Sequence, residues 1–142
     1  MKIFKTTDEI AIKIDDVTVI VSPLNYEQKV EIQEFMLLAA KGDTEGIKAG
    51  MTGARLAVKY AVKRVENVTN VDGTEYKVKL KNGVLSDETV NELCNCEITD
   101  KLYIVSCQLL VSIPKQFIDP VTKLPMKGVS FSKNLKRAKK KK

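Results

Sequence analysis

The charge of this chain changes abruptly at Pro114, and this change limits the part of the sequence that can form a compact core. Residues 1–114 contain 14 Lys and Arg against 17 Asp and Glu, a net charge of −3. Residues 115–142 contain ten basic residues against one acid, a net charge of +9, which brings the whole chain to +6. Blocks of like charge repel one another and favour an extended chain. The sequence therefore predicts one globular domain over 1–114, followed by a flexible, largely extended basic tail over 115–142.

The composition argues against the common catalytic and metal-binding classes. The chain contains no histidine, which excludes a Ser or Cys nucleophile that uses a histidine base. Cys94, Cys96 and Cys107 are too few for a closed four-ligand zinc site, so we interpret them as small buried side chains. The adjacent acid pairs lie at predicted turns or helix starts, where acids have local roles. We predict a protein that is not an enzyme and holds no cofactor.

The N-terminal sequence and the apolar runs predict a cytosolic protein. Met1–Lys5 is followed by Thr6–Glu9 and not by the apolar region of a signal peptide. The longest uncharged run, 102–114, has 13 residues and is too short to cross a bilayer. We therefore expect no membrane association.

The first half of the chain predicts a β-hairpin and two helices. Apolar residues alternate over 10–14 and 17–21, on either side of Asp15-Asp16. Asn25 and Gln28 form a capping-box pair that starts a helix ending near Gly42, and its wide apolar set predicts burial on more than one side. The glycine-rich stretch 43–53 predicts an irregular loop. It lacks the Gly-Lys-Ser/Thr ending of a phosphate-binding loop. The small apolar residues of 54–65 repeat at helical spacing and predict a second helix.

The second half predicts another hairpin and two more helices. Asp72-Gly73 is a type I′ turn pair between 66–71 and 74–80, and Asn82-Gly83 marks a further turn. Ser86 and Thr99 are candidate N-caps for helices over 87–94 and 100–113. The fold predicted is α+β. Two antiparallel hairpins, which could meet in one sheet, pack on a bundle of about four helices.

Four segments in this order carry a resemblance to a known family: the strand 17–21 leading into 23–29, the segment 65–76, the helix 85–93 and the helix 102–113. Together they resemble the tail assembly chaperones of long-tailed bacteriophages, small helical proteins that attend the tape-measure protein. The resemblance implies a non-enzymatic virion assembly factor that binds a tape-measure-like partner in the host cytoplasm. It leaves the oligomeric state open, including a homo-oligomer.

Two sets of residues are the candidate sites. The partner would be held on exposed apolar helix faces, as in helix-in-groove binding. The residues chosen for this role are Phe35, Leu38, Leu109 and Phe117. The alternative function is a small nucleic-acid-binding or virion structural protein that acts through its tail, because lysines neutralise phosphates without sequence preference. The candidate polyanion-binding residues are Lys136, Arg137, Lys139, Lys140, Lys141 and Lys142.

Overall fold

The computed structural model describes residues 3–110, and these form an α+β fold. Its strands are β1 (Ile10–Ile14), β2 (Val17–Val21), β3 (Val62–Glu66), β4 (Leu80–Lys81) and β5 (Val84–Leu85). Its helices are α1 (Tyr26–Ala39), α2 (Thr44–Ala61), α3 (Asp87–Leu93) and α4 (Thr99–Gln108). The predicted fold class is confirmed. The predicted tail over 115–142 lies outside the described residues. The helix predicted over 100–113 ends earlier than expected, at Gln108, and Leu109 is its C-cap.

The first predicted hairpin supplies β1 and β2 of a three-stranded antiparallel sheet in the order β1-β2-β3, in which β2 is the central strand. Strict alternation puts Ile10, Ile12 and Ile14 on one face, and all three are fully buried. Val19 and Val21 of β2 continue that buried face. This face and the inner sides of the helices form one core.

The predicted boundaries of the second helix are wrong at both ends. α2 begins at Thr44, where the side chain of Asp43 accepts a 2.7 Å hydrogen bond from Gly46 N, so the glycine-rich stretch 43–53 is helix and not loop. It ends at Ala61, because β-branched Val62 and Val65 pair with Val21 and Val19 to form β3. The small residues Ala57 and Ala61 are fully buried, in agreement with the predicted inward face.

The hairpin at Asp72-Gly73 is weaker than predicted, and the regular turn lies elsewhere. Thr69 and Glu75 form only an isolated bridge, and Gly73 alone of the turn pair has a positive φ, of 90°. Asn82 and Gly83 both have positive φ, of 54° and 79°, as a type I′ turn requires, and they join β4 to β5. β4 and β5 form a separate two-stranded sheet and do not extend the first one.

The last two helices begin where the sequence predicts, but α4 is shorter than predicted and differs at its cap. Ser86 Oγ accepts a hydrogen bond from Thr89 N at 3.2 Å and starts α3, as predicted. Thr99 is the first residue of α4 and not its cap. Its hydroxyl oxygen lies 3.0 Å from the carbonyl oxygen of Leu93 and donates to it. This bond ties the start of α4 to the end of α3.

Candidate protein-interaction surface

The α1–α2 helical hairpin leaves more apolar side chain exposed than the sequence suggested. α1 begins with the predicted capping box, in which Asn25 Oδ1 accepts from Gln28 N at 2.8 Å and Gln28 Oε1 accepts from Asn25 N at 3.1 Å. Beyond this cap, Ile32 is the only fully buried residue of the helix. The prediction that α1 is buried on more than one side is therefore wrong.

The side of α1 that is covered packs on glycines of α2. A Cβ added to Gly53 would lie 2.9 Å from Met36 Cε and 3.2 Å from Phe35 Cβ. A Cβ added to Gly46 would lie 3.0 Å from the backbone carbonyl oxygen of Leu38. Glycine at position 46 therefore lets the two helix backbones approach closely, whereas the atom nearest to Gly53 is the flexible end of the Met36 side chain. The glycines that appeared to interrupt α2 are the reason that it can pack on α1.

The opposite side of α1 carries a row of exposed apolar residues, which we call the α1 outer face. It consists of Tyr26, Val30 and Leu37, with Leu38 beside them. At 3.6 residues per turn the first three fall within an arc of about 40°. Val30 points about 160° away from the buried Ile32. Leu37 is 74% exposed and Leu38 is 45% exposed.

α2 contributes a second exposed apolar segment. Ile47, Met51, Ala54 and Val58 follow one another at i, i+4, i+7 and i+11, which places them on one face of the helix. Val58 is fully buried, whereas Ile47 and Met51 are 63% and 59% exposed. The apolar face of α2 therefore continues from the core onto the surface of the domain.

A hydrogen bond between the helices holds this hairpin at the end away from its loop. The hydroxyl of Tyr60 on α2 donates to Glu31 on α1, with the two oxygens 2.5 Å apart. Partial burial, followed by the bond to Glu31 and the charge of that carboxylate, raises the pKa of Tyr60 to about 12. The charged residues of α1 are three acids, Glu27, Glu31 and Glu34, and one base, Lys29, so the helix has a net charge of −2.

The three of the predicted partner-binding residues that the structure describes, Phe35, Leu38 and Leu109, do not form one exposed surface. Leu38 is exposed at the edge of the α1 outer face, and Phe35 is half-buried against α2. Leu109 is only 2% exposed and belongs to the core, so it is not part of an accessible surface and that assignment is wrong. Phe117 and the six basic residues of 136–142 lie outside the described residues.

Sequence reasoning missed most of the exposed apolar residues. It treated Tyr26, Val30 and Leu37 as buried, because an apolar residue does not reveal which face of its helix is covered. It placed Ile47 and Met51 in a loop because of the neighbouring glycines. The spacing of Ile47, Met51, Ala54 and Val58 was the signal that could have identified them.

The described residues offer little for metal or redox chemistry. Over 3–110, no group of three or more Cys, Asp or Glu side chains is placed to hold a metal ion. Cys94, Cys96 and Cys107 are free thiols, and burial raises the pKa of Cys107. Cys96, predicted to be buried, is exposed, and its thiol donates to the carbonyl oxygen of Leu93 at 3.2 Å.

Comparisons with known protein families, curated proteins and solved structures gave no match. Within residues 3–110, none of the helices combines the length and apolar character needed to cross a bilayer.

Proposed function

We propose that the protein is a non-enzymatic assembly factor that binds an apolar helical segment of a partner on the α1 outer face. The observation that carries the proposal is the arrangement of apolar residues on both sides of α1. One side packs on the glycines of α2, and Tyr26, Val30 and Leu37 face solvent on the other. A surface helix normally has one apolar stripe, and an exposed second stripe is typical of an interface.

The partner chemistry follows from the residues of this surface. Its side chains are large and apolar, so removal of apolar surface from water would supply most of the binding free energy. A helix face that presents residues at i, i+4 and i+11 is complementary to another amphipathic helix. A tape-measure protein of a long-tailed bacteriophage is a partner of this kind, and the resemblance of the element order to tail assembly chaperones points to it.

Co-expression with a tape-measure-like protein tests this function. We expect the wild-type protein to raise the soluble fraction of the partner and Leu37→Glu to abolish that effect. Ile104→Glu is the matched control, because Ile104 is 42% exposed on α4, outside the α1–α2 hairpin. Ile104→Glu should act like the wild type. If Leu37→Glu keeps the partner soluble as well as the wild type does, the α1 outer face is not the binding surface.

The charge of the tail favours a second function, the binding of nucleic acid or another polyanion through Lys136–Lys142. The tail over 115–142 has a net charge of +9, six of its cations lying in 136–142. Such a segment binds phosphates by releasing counterions, so its affinity falls steeply as salt increases. The test is duplex DNA binding by full-length protein in 50 mM and 200 mM salt, with Lys139–Lys142 replaced by Gln in the comparison variant. Between these two salt concentrations, the affinity of a protein that makes several phosphate contacts falls by about 10³-fold or more. Binding that does not change with salt or with the substitutions would exclude this function.

A further inference from the structure

A cleft of about 570 Å³ lies away from the α1–α2 hairpin, between the start of β2, the segment 67–76 and the connection from α3 to α4. Its apolar lining consists of Val17, Val65, Val68, Val71, Tyr76, Leu93 and Ile98. Several of these are only half-buried, so the cleft presents apolar surface to solvent. Its polar lining consists of Asn67, Thr69, Asn70, Glu92, Asn95, Cys96 and Glu97.

Hydrogen bonds between the two walls give the cleft a defined shape. The hydroxyl of Tyr76 on one wall donates to Glu92 Oε1 on the other at 3.0 Å. The backbone N–H of Tyr76 donates to the carbonyl oxygen of Val68 at 2.8 Å, which closes the segment on itself. Thr99 Oγ1 accepts from Cys96 N at 2.9 Å and holds the turn before α4.

Charge in these two walls is of one sign. Residues 66–76 and 92–100 together contain six carboxylates and no Lys or Arg: Glu66, Asp72, Glu75, Glu92, Glu97 and Asp100. Outside these walls, the basic residues of 1–114 outnumber the acids, 14 to 11. The charged residues that line the cleft itself are Glu92 and Glu97, so its lining is negative.

The tail of the same chain has the complementary composition. The tail has a net charge of +9. Its stretch 129–137 combines apolar residues with three cations and reads Val-Ser-Phe-Ser-Lys-Asn-Leu-Lys-Arg. The tail is long enough to reach the cleft. Ile98 lines the cleft just before α4, whose ten residues span about 15 Å. The 19 residues from Leu110 to Val129 can span up to about 60 Å.

We propose that residues 129–137 of the chain's own tail bind in this cleft. Phe131 would bury its ring on the apolar lining, while Lys133, Lys136 and Arg137 would lie beside the carboxylates of the walls. Apolar contact would provide the affinity, and opposite charges would favour this segment over neutral ones and make its binding sensitive to salt. A tail held in this way would be withheld from polyanions, which would have to displace it.

Hydrogen–deuterium exchange on the full-length protein tests the proposal. The test variant carries Phe131→Ser with Lys133, Lys136 and Arg137 replaced by Gln. The matched control replaces Lys139, Lys140 and Lys141 by Gln, which removes the same number of charges outside the segment. At low salt we expect amides of 67–76 and 92–98 to exchange about fivefold more slowly in the wild type and the control than in the test variant. A synthetic peptide of residues 129–137, added to the test variant, should restore the slow exchange.

Each alternative occupant gives a different result. Equal exchange in all three proteins would overturn the proposal. Protection that disappears on dilution would assign the cleft to the tail of a second copy, and would overturn binding within one chain. If the control loses as much amide protection as the test variant, the protection depends on the overall charge of the tail and not on residues 129–137. Glu97→Lys, an exposed substitution, should also remove the protection at an unchanged melting temperature, and persistence of the protection would contradict the role of the carboxylates.

Discussion

The hydroxyl of Tyr60 donates a hydrogen bond to Oε1 of Glu31, with 2.5 Å between the oxygens, and so joins α2 to the middle of α1. Only Ile32 of α1 is fully buried, so this bond and the glycine contacts of α2 determine where the helix lies. The α1 outer face depends on that placement. The bond between Tyr60 and Glu31 is therefore a structural support for the proposed interaction surface.

Loss of this bond should weaken the hairpin. We expect Tyr60→Phe to lower the free energy of unfolding by about 1 kcal/mol, because the carboxylate of Glu31 loses its donor while the ring still packs. Chemical denaturation at neutral pH measures this change. Tyr26→Phe is the matched control, since the side chain of Tyr26 is exposed. A loss for Tyr60→Phe no larger than for the control would show that the bond contributes no stability.

Stability should decline at alkaline pH. Burial, assisted by Glu31, raises the pKa of Tyr60 from 10.0 to about 12, and burial likewise raises the pKa of Tyr76 and of Tyr103 to about 12. Between these values the unfolded chain releases phenolic protons that the folded chain retains. The contribution of these raised phenol pKa values to the free energy of unfolding is therefore complete below pH 10, and it is lost as pH rises toward 12. Denaturation at pH 9 and pH 11 should show this loss, and Tyr60→Phe should reduce it. A pH dependence unchanged by Tyr60→Phe would contradict the assignment.

The close approach of α1 and α2 predicts that an alanine at Gly46 is destabilising. A Cβ there would lie 3.0 Å from a backbone oxygen, which cannot move aside as a flexible side chain can. We expect Gly46→Ala to cost about 1–3 kcal/mol, although alanine usually favours a helix. Thr44→Ala, an exposed change in the same helical turn, is the control for thermal denaturation. A stabilising Gly46→Ala would mean that the helices are not in close contact.

The helix caps and the alternation of the first strand could be predicted from the sequence, because they depend on residues that are close together in the chain. Asn25 with Gln28 and Ser86 with Thr89 are local caps, and the alternation of Ile10, Ile12 and Ile14 follows from strand geometry. The extent of α2 could not be predicted in this way. Gly46 and Gly53 disfavour a helix locally, and only contact with α1 explains them. The same holds for Leu37, whose exposure depends on which side of α1 meets α2.

Thr89 links α3 to the segment before β4 and provides a test of the wall that carries the cleft. Its buried hydroxyl oxygen accepts from Lys79 N and from Ser86 Oγ, each at 3.1 Å. Thr89→Val keeps the shape but leaves both donors without this acceptor, at a cost of about 1–3 kcal/mol. Thr89→Ser keeps the oxygen and should cost less. Equal denaturation midpoints for the two variants would show that the hydroxyl contributes nothing.

A calorimetric titration of the full-length protein with an apolar helical segment of a tape-measure-like partner tests whether the α1 outer face is the binding surface. For the wild type and Ile104→Glu, we predict a negative heat-capacity change and an affinity that varies little with salt, because apolar surface is buried. Leu37→Glu should weaken binding by about tenfold or more, since a carboxylate would be placed against an apolar partner. Wild-type affinity for Leu37→Glu would contradict the claim. So would binding that falls steeply with salt and disappears when Lys136–Lys142 are neutralised.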